Sequence, residues 1–132
     1  MLNLFPIQYL APFAYLILRL CIGVLFLHLG KKHFIHRGEL SAVLTLPFFP
    51  FGTFATWILC VSEILIGLSL VFGYLTQLSA FLVVLYALKL LMFYRRFQNP
   101  LLPNRMTLML FIGIGLSLFI TGAGPLAFDL PL

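Results

Sequence analysis

Long apolar runs separated by short polar punctuation make up this chain. Runs of that kind cover residues 13–30, 53–72, 75–94 and 106–121. Segments near 20 residues are long enough to cross a bilayer as helices, at about 1.5 Å of rise per residue. The pattern predicts an all-α fold, a four-helix membrane bundle with helices over about 12–31, 53–72, 75–94 and 106–121, in one domain spanning 1–132. Pro12 suits a helix start, and Thr53 is a candidate N-cap for the second helix. Between the first two helices lies a basic turn (Lys32, His33, His36, Arg37, Gly38, Glu39), then 40–46, then Pro47 and Pro50 among phenylalanines. Two prolines three apart forbid a continuous helix, and their apolar neighbours forbid a freely solvated loop. The segment is expected to lie in the membrane interface or to fold back on the bundle.

Composition agrees. Of the 132 residues 63% are hydrophobic and 8% charged, whereas a soluble domain carries about 25% charged residues. Mean hydropathy is +1.16. The net charge of +5 therefore points to anionic lipid rather than nucleic acid. No charged side chain occurs in 1–12, so a basic leader region is missing there, and 1–12 reads as part of the mature protein.

The distribution of the basic residues sets an orientation. Lys31, Lys32 and Arg37 fall in the first connection and Arg95, Arg96 and Arg105 in the third, while the N-terminal segment, the 73–77 turn and the tail hold none. By the positive-inside rule both termini face outward. The pentapeptide Ile-Gly-Leu-Ser-Leu occurs at 66–70 and again at 114–118, a hint of two related hairpins.

Polar residues inside the runs are the candidate chemistry. Counted from the outer end at about 1.5 Å per residue, Arg19 lies roughly 10 Å deep, Glu63 roughly 15 Å and Tyr86 roughly 16 Å. These three are expected to share an inward polar layer. Thr56, Cys60, Glu63 and Gly67 fall on one helical stripe, Gly23 lies one turn from Arg19, and Gly113, Ser117 and Thr121 form a small stripe on the last helix. Arg19 has two candidate partners, Glu63 and the tail's Asp129, and either pairing would serve as a structural ion pair or as a proton or ligand site. His28 and Lys32 mark the cytoplasmic boundary. His33 and His36 are one turn apart, but no cysteine or carboxylate pattern completes a metal site with them, and His28 has no second in-span histidine for haem. Cys21 and Cys60 read as packing residues. Of the tyrosines only Tyr86 lies centrally; Tyr9, Tyr15, Tyr74 and Tyr94 sit where interfacial belts are expected.

Arg19-Leu-Cys-Ile-Gly23 leading to His28 and Lys32, then Glu63 and Gly67 before Gly73-Tyr-Leu-Thr76, then Gly122, Gly124 and Asp129, resemble in order and spacing the DoxX family of small four-span bacterial membrane proteins. This chain departs from that pattern at Gly30, one place later than the family's glycine, at Gln77 for an arginine, and at Ala127 for a serine. The resemblance implies a location in the bacterial inner (cytoplasmic) membrane and a role as accessory or anchoring subunit of a membrane redox assembly, with a quinone as the cofactor in reach. The alternative is an autonomous small-molecule binding protein or transporter acting as a homo-oligomer through the Arg19, Glu63, Tyr86 layer. The sequence carries no nucleophile-base set, phosphate loop or cofactor motif, so no catalytic residue is assigned.

Overall fold

A computed structural model describes residues 7–44, 52–95 and 100–122, with side chains from residue 12 onward. Its regular structure among these residues is entirely helical: α1 (Ile7–Ile35), α2 (Arg37–Leu44), α3 (Gly52–Phe72), α4 (Thr76–Met92) and α5 (Arg105–Thr121). Pro12–Ile35 and Gly52–Phe72 are long and apolar enough to cross a membrane by length and composition. At 17 residues each, α4 and α5 are about 25 Å long, the short end of what a bilayer core requires.

Two expectations about α1 are corrected. It starts before Pro12, which lies inside it. A proline at the sixth position removes a single bond, to the carbonyl of the first turn, so the helix tolerates it. At the other end the helix does not stop near residue 31 but runs on to Ile35, with Gly30 inside it. That glycine serves packing instead: a Cβ on it would stand 2.8 Å from Ile64 Cγ1 and 3.2 Å from the Ile64 backbone nitrogen.

The same close approach recurs along the α1–α3 seam. A Cβ on Gly67 would lie 2.9 Å from the Gly23 carbonyl oxygen, and one on Gly23 would lie 3.1 Å from that of Gly67. In lipid, where two apolar faces gain little by leaving the solvent, such backbone contact is a main source of helix association. The pairs run in opposite order, Gly23 on Gly67 and Gly30 on Ile64, so the helices are antiparallel. α4 and α5 pair likewise through Gly115, whose Cβ would meet Val84 Cγ2 at 2.8 Å. Both copies of the Ile-Gly-Leu-Ser-Leu pentapeptide thus place their glycine at a helix seam. The packing face of α5 is Leu108, Phe111, Gly115 and Leu118. The expected Gly113, Ser117, Thr121 stripe is turned away from it: Gly113 and Thr121 are exposed, and a Cβ on Gly113 would meet nothing within 4 Å.

The two pairs meet through α3–α4 and α1–α5 contacts. Phe26 of α1 is fully buried at that meeting, with ring centroids 5.3 Å from Tyr86 and 5.1 Å from Phe111. The short α2 folds back on α3 and buries Leu40 completely. Pro47 and Pro50 lie outside the described residues. Large apolar side chains such as Phe54, Leu65, Leu85 and Leu110 face outward, as a lipid-contacting exterior requires. Replacing Gly67 by leucine is expected to force α1 and α3 apart and cost about 1–3 kcal/mol. Gly113→Ala, open to space, is expected to be neutral or to stabilise by about 0.5–1 kcal/mol. Thermal unfolding in detergent separates the two.

Candidate functional site

Glu63 is the twelfth of the 21 residues of α3 and is completely buried. Its stripe neighbours Thr56, Cys60 and Gly67 are buried with it, so the spacing read from the sequence does define the inward face of this helix. A carboxyl group removed from water needs strong partners, because an ion left alone there is many kcal/mol out of balance.

α1 and α4 supply them. His33, also fully buried, sets Nδ1 2.9 Å from Oε1 and 2.7 Å from Oε2 of Glu63. The Tyr86 hydroxyl donates a short hydrogen bond to Oε1. On the far side of the imidazole, Nε2 lies 3.0 Å from the Leu101 carbonyl, which can only accept, so Nε2 carries hydrogen and donates. Three helices and the turn before α5 therefore converge on one carboxyl group. The neighbouring Lys32 Nζ donates to the Pro100 carbonyl at 3.1 Å and clips the same turn to α1.

Arg19 is placed elsewhere. It is buried, 2% exposed, with its guanidinium against Gly73 in the α3–α4 turn: a Cβ on Gly73 would stand 2.6 Å from Nη1. Gly73 has φ 70°, a conformation that glycine alone adopts freely. Ten residues of helix separate Gly73 from Glu63, about 15 Å. The expected single layer of Arg19, Glu63 and Tyr86 is therefore two sites, one at the turn end and one at mid-helix. Glu63 and Tyr86 are brought together; Arg19 is not with them. Asp129 lies outside the described residues.

The boundary pair also divides. His28 is exposed, Lys32 binds the turn, and the buried role falls to His33, which the sequence reading grouped with the solvated basic cluster. Periodicity carried the signal: Arg19, Ile22, Phe26, Gly30 and His33 are all buried on one face of α1 at three- and four-residue steps. Among the described residues no three His, Cys, Asp or Glu side chains gather as a metal site.

Near the same end Arg37 stacks over Phe34 and Trp57, 5.4 and 5.5 Å from the ring centres. It borders an open cleft of about 360 Å³ with Ser41, Thr53 and Thr56. Arg105 lies 4.5 Å over Tyr94, whose hydroxyl donates to Asn104, the N-cap of α5.

Compared with known proteins, residues 14–95 match the DoxX family model, well over half of the chain. No curated protein and no solved structure matches it.

Removing His33 leaves the buried Glu63 carboxyl group without its main partner, as an uncompensated charge or as an acid forced to take up a proton. His33→Leu is therefore expected to destabilise the fold by about 3–5 kcal/mol. Exposed His28→Leu is expected to stay within about 0.5 kcal/mol. Chemical denaturation in mixed micelles checks both.

Proposed function

The chain belongs to the DoxX family, and from that premise we propose that it is an accessory subunit of a membrane redox assembly, seated in a bacterial cytoplasmic membrane and in reach of the quinone pool. Family membership and the apolar exterior make it a small membrane protein in contact with lipid. In the proposed topology α1, α3, α4 and α5 span as a four-helix bundle, and both termini face outward. Supporting this, Lys31, Lys32 and Arg37 lie at the end of α1 and in α2, while Arg95 lies in the α4–α5 connection and Arg105 opens α5. The Lys32–Pro100 and His33–Leu101 bonds bring those two regions to one end, which the positive-inside rule assigns to the cytoplasm.

The observation that carries the redox reading is the acid–base set at mid-helix. Glu63 and His33 are sealed from water, whereas Tyr86, bonded to Glu63, is only partly buried. Tyr86 is thus the member of the set with surface at the exterior, and in this reading a partner subunit or a lipid-soluble carrier meets the unit there. A quinone exchanges protons as well as electrons. In this reading Tyr86 meets such a headgroup, with Glu63 and His33 holding a proton behind it. Electron transfer would belong to the partner. The alternative, a homo-oligomeric small-molecule site or transporter built on one Arg19, Glu63, Tyr86 layer, has less support, because Arg19 packs about 15 Å away along α3.

Native mass spectrometry from membranes solubilised in mild detergent tests this. The expected result is co-purification with a larger oxidoreductase and retained quinone. Recovery of the chain only alone, or only as a homo-oligomer, would overturn the proposal.

A further inference from the structure

We propose that His33 and Glu63 form a dedicated intramembrane site for one exchangeable proton, and that this proton holds the 100–102 turn against α1. Leu101 O accepts at 3.0 Å, so Nε2 must carry a hydrogen. Nδ1 faces both oxygens of Glu63 at 2.7 and 2.9 Å. Tyr86 spends its own hydrogen on Oε1. One further proton must lie between Nδ1 and the carboxyl group, as imidazolium with carboxylate or as neutral imidazole with carboxylic acid. Either form leaves the pair with no net charge in an apolar interior.

Taking that proton away leaves no satisfactory tautomer. With hydrogen on Nε2, a lone pair of Nδ1 faces the carboxylate at 2.7 Å. With hydrogen on Nδ1, a lone pair of Nε2 faces the Leu101 carbonyl at 3.0 Å. One acceptor-to-acceptor contact remains in both cases, at side chains with no exposure. The α1–α3 side cannot yield, because Gly30 already packs on the Ile64 backbone. The turn is the side that can yield: Leu101 itself is buried, but Pro100 is exposed, Leu102 and Pro103 are only partly covered, and the Lys32–Pro100 bond is exposed to solvent. Loss of the proton thus releases Leu101, opens Nε2 to water and gives the proton its route in and out at this end of the protein.

The other titratable or charged groups around the pair have their own places. Tyr86 approaches from α4 and Cys60 lies on α3 one turn before Glu63. Lys32 holds Pro100, and Arg37 of α2 is stacked on Phe34 and Trp57. Beyond the turn Arg105 of α5 is stacked on Tyr94. None of these supplies the missing hydrogen to Nδ1. The inference does not rest on the redox reading: the proton count holds whatever the assembly.

The test uses the full chain in lipid nanodiscs. Histidine ¹⁵N spectra across pH read each ring, and amide hydrogen exchange corrected for its intrinsic pH dependence reads Leu101, Leu102 and Asn104, the residues of 100–104 that carry an amide hydrogen. Protection at 100–104 is expected to fall at least tenfold over the pH range in which the His33 ring changes. Glu63→Gln is the decisive variant. Its amide N–H can donate to Nδ1 while Nε2–H still donates to Leu101, so a neutral ring satisfies every contact. The turn is then expected to stay protected at all pH values in a folded protein. His33→Gln, which cannot bridge both partners, is expected to leave the turn unprotected throughout. A Glu63→Gln protein that keeps the pH-dependent release, or wild-type protection that does not follow the protonation of the His33 ring, overturns the inference.

Discussion

Burying Glu63 is the constraint on which the rest of the molecule depends. A carboxyl group midway along an apolar helix is tolerable only where other segments bring hydrogen to it. Here His33 comes from α1 and Tyr86 from α4, and His33 in turn fixes the chain just before α5 through Leu101. The four long helices are thereby put in register by one side chain. Non-directional apolar contacts alone would not set that register, because in lipid one apolar helix face resembles another.

The glycines are what let the partners reach. Gly30 brings the α1 backbone close to α3 within one turn of His33, so the short imidazole spans the seam. Gly23 and Gly67 continue the contact toward the other end, where the guanidinium of Arg19 lies on Gly73. α1 therefore carries two buried polar anchors on a single face, fourteen residues apart, close to four helical turns. One sits at the α3–α4 turn and the other at mid-helix. Each anchors a different connection of the chain.

Much of this was legible in the sequence, for identifiable reasons. Long apolar runs locate the long helices and their approximate extent, since few other structures satisfy the backbone in lipid; the short α2, a fifth helix, falls in the basic turn and carries no such run. The Thr56, Cys60, Glu63, Gly67 spacing correctly marks the inner face of α3, and Glu63 and Tyr86 do meet. Arg19 falls outside the expected layer because a depth counted along each helix assumes flush ends, whereas α1 extends beyond the expected 12–31 at both ends. His33 was hidden by its neighbours. A histidine between two lysines and a phenylalanine reads as an interfacial cluster unless the three- and four-residue steps from Ile22 and Phe26 are followed through it. The outward turn of Gly113 shows the converse limit: a stripe of small residues marks a seam only when another helix lies on it.

The most direct test of the account is a double-mutant cycle on stability with Glu63→Ala, His33→Ala and Arg19→Ala. Contacting groups in one network couple by about 0.5–3 kcal/mol, whereas sites more than about 10 Å apart add independently. The account predicts coupling in that range between Glu63 and His33, and additivity between Glu63 and Arg19. Additive effects for Glu63 with His33, together with strong coupling to Arg19, would contradict it and return the carboxyl group to the arginine.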